Sequence, residues 1–566
     1  MKKRWILSIF LAALMLLAYS FASAEGEKRT DGALRVFLKS LGEPAELNVR
    51  LAGDYSLDGD AGMRFDRDTT LTLLAQQDAV FMKVGGFTMR LGNSVTFARH
   101  PSEGETGAYI EGSAKGGLYM GDLTVSAQGG ALRCVLTIDI EDYLCGVVPY
   151  EMSDSFPLEA LKAQAVAART YALQRRESAS LRDYDVVDTT ADQVFYGYNA
   201  DYQNAIDAVS QTRGLVGLYN GQYASCFYTA SNGGQTALPG DIFGSGDSSA
   251  YGYLDVHDDP YDLENPSSLV KSLTIRPDGS GVPELLAGWM KAAAAEELAS
   301  LGYDDDAQNI FLDTVVSVTG HDPKFAEPSR MYTKLRIEYT LSACPVTVEY
   351  EEVPLEELLR AAVNNRTVSR TIRGETLGEP EVVDRTFAYE LDVYDQLKDQ
   401  LGLSLNGGDY EIVSVETPTG DDGAVEGFIL SMRRFGHGVG MSQRGAQWMA
   451  GEYGKSAQEI LAFYYPGLTF ETQNLTTAQR APLGELFASQ QADLPELAEG
   501  EVYATVRLAT AFSTLNVRSS PSTDGEIVAS LPSGARVIVV REEGEWSYIR
   551  TARVEGYVAG SYLTKD

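Results

Sequence analysis

Hydrophobic and polar positions alternate through much of the N-terminal part of the chain. Residues 34–38, 47–51 and 80–84 each follow the two-residue repeat of a half-buried β-strand. Glycine, aspartate and asparagine separate these runs, as turn residues do between short strands. The pattern predicts a β-rich lobe over residues 25–130.

The periodicity then changes to that of a helix. Residues 141–173 predict a strand or short extended run, a loop that carries Glu151, and a helix. Ser155 is suited to cap this helix, and Pro157 is suited to its first turn. The apolar stripe recurs at steps of three and four residues and comprises Leu158, Leu161, Ala165, Ala168 and Ala172. Because the stripe is rich in alanine, we expect another element to pack unusually close to the helix.

Two basic residues of this helix, Lys162 and Arg169, lie seven residues apart. This spacing places them on one side of the helix. Each of them has a structural interpretation beside the functional one of contact with substrate. In the structural interpretation, Lys162 is solvated and Arg169 pairs with a carboxylate of the protein such as Asp142. The spacing alone does not decide between them.

Later segments predict further mixed structure. Residues 202–213 and 284–301 have helical patterns, each followed by a glycine that stops the helix. Two strands with a polar turn at residues 231–234 follow the first of these helices. Residues 435–440 form a glycine-rich loop, after which Ser442 is placed to cap another helix. Residues 457–464 predict one more helix before Pro466.

The C-terminal end changes character again. Residues 474–502 contain scattered acids and few aromatic residues, which is typical of a linker. From residue 503 to 566, short strands alternate with turn residues, which predicts an all-β module.

Composition and charge narrow the classes of function. At 566 residues, with 44% hydrophobic residues, the chain is long enough for several domains with folded cores. The net charge of −34 argues against a nucleic-acid partner, which requires a basic surface, and against electrostatic attachment to anionic lipid.

The first 24 residues have the pattern of a secretory signal. A basic start precedes an apolar run from Ile6 to Ala18, and residues 22–24 form a small-residue cleavage site. An uncleaved membrane anchor is the alternative, because the run approaches spanning length. The chain has four cysteines, namely Cys134, Cys145, Cys226 and Cys344. In an exported protein they either form a disulfide or remain buried thiols, and their spacing matches no zinc template.

Three long motifs resemble one known family, the stage II sporulation protein D family of cell-wall proteins. They cover residues 146–152 (Gly-Val-Val-Pro-Tyr-Glu-Met), residues 159–171 (Glu-Ala-Leu-Lys-Ala-Gln-Ala-Val-Ala-Ala-Arg-Thr-Tyr) and residues 436–443 (Gly-His-Gly-Val-Gly-Met-Ser-Gln). In that family the glutamate of the Glu-Met pair is taken as the catalytic acid of a peptidoglycan lytic transglycosylase. The matching residue here is Glu151.

The resemblance implies an α+β fold in which a β-rich N-terminal lobe joins a mixed catalytic domain with an insertion, followed by an all-β SH3-like barrel. The implied division is a signal peptide (1–24), the lobe (25–130), the core with the glutamate (131–244), a variable insertion (245–430), a closing segment (431–473), a linker (474–502) and an SH3-like domain (503–566). It also implies a set of residues that bind substrate: Lys162, Arg169, Tyr171, Ser231, Gly233, His437, Gly438, Ser442 and Gln443.

The implied substrate is the glycan strand of peptidoglycan. A lytic transglycosylase needs one glutamate as acid and then base, because the C6 hydroxyl of N-acetylmuramic acid supplies the nucleophile and yields a 1,6-anhydro sugar. A hydrolase would need a second carboxylate, for which Glu141, Asp142 and Asp154 are near enough in sequence. Since relatives favour glycan without stem peptides, Arg169 is expected to pair with the free lactyl carboxylate. His437 is expected to face the same cleft as Glu151.

Other partners and ligands follow from the same resemblance. Some members of the family stimulate an N-acetylmuramoyl-L-alanine amidase without being catalytic, so a cell-wall amidase is an alternative partner. Residues 503–566 resemble a bacterial SH3-type barrel and are expected to bind wall peptide or polymer. Its aromatic residues either line a binding groove or belong to the core, and the sequence leaves both alternatives open: Trp546, Tyr548, Tyr557 and Tyr562. The expected location is outside the cell, in association with the wall.

No cofactor is expected. Some relatives hold zinc between Cys and His residues in a stretch equivalent to residues 184–197, but this stretch contains neither residue type, so we expect no metal there. Asp185, Asp188 and Asp192 suggest calcium only as a minor alternative, because their spacing departs from an EF-hand loop.

Overall fold

The computed structural model describes residues 31–58, 60–179, 182–244, 248–483, 496–508, 514–551 and 554–565. The predicted signal peptide lies outside the described residues. The fold is α+β, as the sequence predicts. No helix within the described ranges is long and apolar enough to cross a membrane.

The chain divides into two compact units. The first comprises Met1–Cys226 and Leu468–Asp566, and the second is Phe227–Gly467. The second unit therefore contains the predicted insertion together with the segments that flank it, and the finer division proposed from the sequence stays a prediction.

The first unit contains a seven-stranded sheet that carries the strand leading to Glu151. Its strands, in spatial order, are Val186–Val187, Ala33–Phe37, Ala131–Asp139, Gly121–Gln128, Ser94–His100, Asp54–Leu57 and Asp60–Phe65. A five-stranded sheet completes the predicted β-rich lobe, in the order Phe87–Gly92, Ala79–Val84, Thr69–Gln76, Glu46–Ala52 and Gly107–Ile110. A three-stranded sheet contains Gln222–Tyr223, Leu215–Tyr219 and Thr469–Thr472.

Four helices of the first unit include Glu151 or follow its segment in the chain or precede it. They are α1 (Ile140–Cys145), α2 (Val148–Glu151), α3 (Leu158–Ser178) and α4 (Gln203–Gln211). Ala165, Ala168 and Ala172 of α3 are fully buried, and the helix packs against α4 and against the strand Leu215–Tyr219. The alanine stripe is therefore buried, and an unusually close approach of the neighbouring elements stays a prediction.

Three local predictions for this region are wrong. Glu151, which was expected on a loop, is the last residue of the helix α2. The expected extended run before Glu151 is helical, because Asp139 caps α1 by accepting a hydrogen bond from the Glu141 backbone N–H (2.9 Å). Ser155 does not cap α3: its hydroxyl bonds that of Ser153 (2.9 Å), and Pro157 stands at the cap position. Proline fits there because a helix start leaves N–H groups without intrahelical partners.

The C-terminal module of the first unit is a seven-stranded antiparallel sheet. Its order is Ile527–Pro532, Thr514–Arg518, Glu555–Ala559, Trp546–Arg550, Arg536–Glu543, Val502–Val506 and Leu563–Lys565. Its core is aliphatic and includes Val506, Val517, Ile549 and Val558. Trp546 lies outside this buried core.

The second unit has its own core around a long hairpin. Its sheets contain the strands Tyr228–Thr229 and Met441–Ser442; Lys271–Ile275, Phe428–Arg433 and Ile412–Glu416; Ile310–Pro323, Tyr332–Ala343, Glu381–Val382 and Phe387–Asp392; and Val346–Tyr350 and Ile372–Leu377. Its helices are α5 (Pro239–Phe243), α6 (Pro260–Glu264), α7 (Glu284–Ser300), α8 (Leu355–Val363), a π-helix (Val393–Gln400), α9 (Gln443–Gly451) and α10 (Ala457–Tyr464). Short 3₁₀ turns of the two units lie at Lys39–Leu41, Ser248–Tyr251, Ala307–Asn309 and Gly560–Tyr562.

The four cysteines are not joined to one another. Cys134, Cys226 and Cys344 are buried and Cys145 is partly buried, all as free thiols. The sequence left a disulfide and buried thiols as alternatives, and the structure has free thiols.

Candidate functional site

Two short helices place Glu151 at the edge of the first unit's core. The second of them, α2, has Pro149 in its first turn and ends at Glu151. Met152 follows directly and is 1% exposed, so the backbone beyond the glutamate is anchored in the core. The Glu151 side chain itself is half-buried.

A backbone N–H group orients the Glu151 carboxylate. The amide of Val194 donates to Glu151 Oε1 at 2.9 Å. The charge of this carboxylate also acts on Tyr171 of α3. Burial first, then the charge of Asp192 and to a smaller extent that of Glu151, raise the pKa of Tyr171 to about 12. The Glu151 carboxylate is thus oriented by a backbone donor and lies in the neighbourhood of the neutral Tyr171 phenol.

The segment that supplies the Val194 amide is itself fixed by buried contacts. Gln193 is fully buried: its amide donates to the Ala168 carbonyl oxygen (3.2 Å) and its oxygen accepts from the Tyr143 hydroxyl (3.2 Å). The Phe195 ring packs on that of Tyr143, with centroids 4.9 Å apart. Gln193 therefore acts as a positioning residue, which the sequence pattern did not identify.

The three aspartates of this segment have protein partners. Asp185 forms a two-point ion pair with Arg35, and Asp188 accepts from the backbone N–H of Ser40 (2.9 Å). Asp192 accepts from the Val187 backbone N–H (2.9 Å) and the Tyr171 hydroxyl (3.3 Å), and pairs with Arg175 (2.9 Å). These contacts give the carboxylates structural roles, and no cluster of potential metal ligands occurs within the described ranges.

Lys162 forms an ion pair on the surface of α3. Its Nζ lies 2.6 Å from Glu159 Oε1, and about a fifth of its side chain, 19%, is exposed. The pair is one turn apart on the helix, a spacing at which opposite charges attract. Lys162 remains accessible and stays a candidate for substrate contact.

Arg169 does not have the position expected of a residue that binds substrate. Its side chain is 0% exposed and forms a two-point ion pair with Glu141, with Nε···Oε1 3.0 Å and Nη2···Oε2 2.6 Å. Its Nη1 donates to the Leu215 carbonyl oxygen at 3.2 Å, and its Nη2 also donates to the Val209 carbonyl oxygen at 3.4 Å. The predicted pairing with a glycan carboxylate is therefore wrong for this structure, and the protein carboxylate is Glu141 rather than Asp142.

The second unit brings together two motifs that are about two hundred residues apart in the sequence. Parallel bridges join Tyr228 to Met441 and Thr229 to Ser442. The polar turn at residues 231–234 thus lies beside the glycine-rich loop.

Asp262 of α6 connects the turn to the helix after the glycine loop. Its two carboxylate oxygens accept from the Ser231 hydroxyl (2.8 Å), the Asn232 backbone N–H (2.6 Å) and the Ser442 hydroxyl (2.7 Å). Ser442 also caps α9 by accepting from the Gly445 N–H (3.0 Å). Ser231 is 2% exposed and Ser442 0%, so these hydroxyls hold the backbone, which corrects the predicted direct contact with substrate.

Asp259 lies next to this cluster and is also buried. Its Oδ2 accepts from the Asn232 side-chain amide (2.8 Å) and the Tyr464 hydroxyl (2.7 Å). Burial, together with the neighbouring charge of Asp262, raises the pKa of Asp259 to about 6. Neither aspartate was identified by sequence reasoning, and the proline that starts α6 is the only signal near them.

A buried arginine explains both glycines predicted to bind substrate. Arg434 is fully buried and donates to the carbonyl oxygens of Asn232 (2.9 Å) and Gln235 (2.7 Å). Gly233 (φ +68°) and Gly438 (φ +75°) both lie against it, and a Cβ at Gly438 would stand 2.6 Å from the guanidinium carbon. Glycine is required there for close packing and for a left-handed backbone.

His437 is half-buried among aromatic rings. Its Nδ1 accepts from the Val439 backbone N–H (3.0 Å), and its ring lies edge-to-face with Phe243 at 5.2 Å. Burial, and then the charge of Arg434, lower its pKa to about 4. The ring is therefore neutral at physiological pH, and Nδ1 is the acceptor nitrogen. Gln443, the first residue of α9, is 8% exposed.

The expectation that His437 and Glu151 share a cleft stays a prediction, because the two residues belong to different compact units. In the second unit, the strand pairing, the Asp262 hydrogen bonds and the packing on Arg434 bring Ser231, Gly233, Gly438 and Ser442 together.

Two family models match separate parts of the chain. Residues 128–219 match the model described as Stage II sporulation protein, and residues 513–564 match the Bacterial SH3 domain. The first range contains Glu151 and the helices around it, and the second contains most of the C-terminal sheet. The chain thus carries both domains, and the resemblances noted from the sequence are confirmed.

Curated relatives extend this similarity beyond the matched domains. The chain is 28% identical over 342 residues to the amidase enhancer of Bacillus subtilis (strain 168), covering 58% of this chain and 40% of that protein. It is 26% identical to stage II sporulation protein D of the same strain, over 60% of this chain and 76% of the relative. The stage II sporulation protein D of Bacillus amyloliquefaciens is 25% identical over 59% of this chain and 74% of its own length. The chain therefore spans only two fifths of the amidase enhancer.

Proposed function

We propose that this chain is an exported protein that remodels peptidoglycan, and that it is a lytic transglycosylase with Glu151 as its acid and base. Glu151 protonates the glycosidic oxygen between N-acetylmuramic acid and N-acetylglucosamine. It then accepts the proton of the C6 hydroxyl as that oxygen attacks C1, so the product is a 1,6-anhydro sugar and no water is consumed. No cofactor takes part.

The observation that carries the proposal is the state of the neighbouring carboxylates. Glu141 is bound by Arg169 and by the Gly214 backbone N–H (3.0 Å), and Asp154 accepts from the Ala205 backbone N–H (2.8 Å) at the start of α4. Asp142 lies 3.3 Å from Arg99. Because these carboxylates have structural partners, they are poorly suited to activate water, which favours the mechanism that needs a single glutamate.

The test is the chemical identity of the products. Purified glycan strands without stem peptides are incubated with the protein and analysed by mass spectrometry. We expect 1,6-anhydro ends from the unmodified protein and from Glu103→Gln, which changes an exposed glutamate of the same unit. Glu151→Gln should lose most of the activity while remaining folded, because an amide is not an acid. Reducing ends in place of anhydro ends would identify a hydrolase instead.

The second candidate function is non-catalytic. The similarity to a protein named amidase enhancer supports binding to an N-acetylmuramoyl-L-alanine amidase. In that case the purified protein would release no sugar fragments alone but would accelerate release of stem peptides by an added amidase. An equal effect of Glu151→Gln and the unmodified protein in that assay would favour the enhancer.

The C-terminal module is proposed to attach the protein to wall peptide or polymer. Tyr548 and Tyr557 pair across neighbouring strands with ring centroids 4.9 Å apart, and the Arg541 guanidinium lies 4.0 Å from the Tyr548 ring. A half-exposed group of this kind is suited to polar polymers. Tyr548→Ala and Tyr557→Ala in the full chain should reduce its sedimentation with purified sacculi, and unchanged sedimentation would contradict the proposal.

A further inference from the structure

Three tyrosine rings form a cluster around Tyr150, the residue before Glu151. Tyr150 contacts Tyr196 with centroids 5.0 Å apart and an interplanar angle of 86°, and it contacts Tyr202 at 5.4 Å and 84°. All three side chains are half-buried, so the cluster keeps part of its surface accessible. The predicted substrate-binding set did not include any of these tyrosines.

Two of the rings belong to segments that hold the glutamate. Tyr150 precedes Glu151 on α2, and Tyr196 follows two residues after Val194, whose N–H binds the carboxylate. The Tyr196 backbone N–H is fixed by the Gly146 carbonyl oxygen (3.1 Å). Tyr202 stands at the start of α4, the helix whose first turn is tied to Asp154. The position of the rings relative to Glu151 is therefore set by the backbone.

The chemistry of the cluster is apolar and uncharged. Burial, and then the interaction with Tyr202, raise the pKa of Tyr150 to about 12, so its hydroxyl stays protonated. The buried Arg169 is paired with Glu141, and Lys162 is paired with Glu159, so neither forms a cationic site with these rings. A neutral ligand with an apolar face and hydroxyl edges matches such a surface better than an anion or a charged peptide does.

We propose that Tyr150, Tyr196 and Tyr202 form an aromatic platform that binds one pyranose ring of an N-acetylated glycan next to Glu151. The C–H face of the sugar packs on the rings, and the tyrosine hydroxyls border its polar edge. The identity of the ligand rests on the proposed function, whereas the platform is carried by the geometry of the three rings. Its role is to fix the sugar so that the glycosidic oxygen meets the carboxylate.

Binding is measured without turnover, in the full chain that carries Glu151→Gln. The probe is the neutral tetramer of N-acetylglucosamine, which has no lactyl carboxylate and no peptide, and its dissociation constant is determined by calorimetry. Adding Tyr196→Ala or Tyr202→Ala should raise that constant about tenfold, as expected for loss of one aromatic stacking partner. Tyr196→Phe and Tyr202→Phe keep the ring and should stay within about threefold of the parent.

Tyr184 provides the matched control. It is a half-buried tyrosine of the same unit whose ring packs on Phe37 (5.4 Å), away from the three-ring cluster. Tyr184→Ala should leave the dissociation constant unchanged, even where it lowers the melting temperature. Equal weakening by Tyr184→Ala would show that any loosening of the unit reduces binding, and the platform would be rejected.

The outcomes separate this inference from the proposed function. If the alanine variants bind like the parent and only melt earlier, the tyrosines are structural and the platform is wrong, even where Glu151 proves catalytic. If the unmodified protein makes no anhydro product but tetramer binding depends on Tyr196 and Tyr202, the platform is supported and the proposed transglycosylase activity is rejected. No binding of the tetramer by the parent overturns the platform.

Discussion

Arg169 and Glu141 form a fully enclosed, two-point ion pair that joins α3 to α1. The guanidinium donates through both Nε and Nη2 to the two carboxylate oxygens, and Glu141 also accepts from the Gly214 backbone N–H. The pair thereby connects three segments around Glu151. Arg169, although it belongs to a motif shared with the family, therefore binds a carboxylate of the protein and not a substrate.

Removal of this arginine should mainly reduce stability. Arg169→Ala leaves a buried carboxylate without its partner, which costs about 3–5 kcal/mol. Lys162→Ala removes a partly exposed pair on the same helix and should cost less than about 1 kcal/mol. Urea unfolding of both variants measures the difference. If Arg169→Lys retains full stability but loses its preference for glycan without stem peptides, the residue binds substrate after all.

Gly438 should tolerate alanine less well than a glycine with a similar backbone but open surroundings. Gly438 has φ +75° and lies against buried Arg434, whereas Gly402 has φ +78° and no heavy atom within 4 Å of the place where a Cβ would stand. Both alanine variants incur the cost of a left-handed residue, about 1–2 kcal/mol, but only Gly438→Ala also displaces the arginine. Thermal unfolding should show the larger loss at Gly438, and equal losses would contradict the contact.

Gln193 should affect the chemical step more than binding. Its two hydrogen bonds fix the segment whose Val194 amide orients Glu151. If Glu151 is the acid, Gln193→Ala lowers kcat by about tenfold or more with little change in KM, because small displacements of a catalytic group are costly. Gln203→Ala, which changes an exposed glutamine of the same unit, serves as the control. A change confined to KM would place Gln193 in substrate binding instead.

Elements with strong local signals were predictable from the sequence. The helix Ala457–Tyr464 has the predicted bounds, since Ser456 and Glu459 form a reciprocal capping box at its start. The capping role of Ser442 is also confirmed, because its hydroxyl accepts from the Gly445 backbone N–H. By contrast, Asp139 and Glu141 made α1 helical where the residue pattern suggested an extended run.

The partners of buried charges could not be predicted. Asp262 binds Ser231, 31 residues away, and Ser442, 180 residues away, and periodicity carries no information on such distant pairs. Motif similarity identified the two serines but assigned them to substrate, because it cannot distinguish a residue that touches ligand from one that holds the backbone. Burial and hydrogen bonds make that distinction.

The last prediction concerns the pH dependence of the turn at residues 231–234. The folded-state pKa of Asp259 is raised to about 6, above the ordinary value of 3.8. Its stabilising contribution is therefore fully present below about pH 4, where the carboxyl is protonated in both states, and is lost as pH rises through 6. Asp259→Asn removes this dependence, because an amide does not titrate in that range.

Hydrogen exchange of the Asn232 and Gly234 amides measures the local stability of the turn. The protection of the unmodified protein relative to Asp259→Asn should increase as pH falls from about 6 to about 4, after correction for the intrinsic exchange rate. The lowered pKa of His437 acts in the opposite direction, but it is present in both proteins and cancels in the difference. Asp258→Asn, which alters an exposed ion pair with Arg330, should follow the unmodified protein. A difference that is constant across this range would show that Asp259 is ionised throughout, and that the cluster is held by two charged carboxylates.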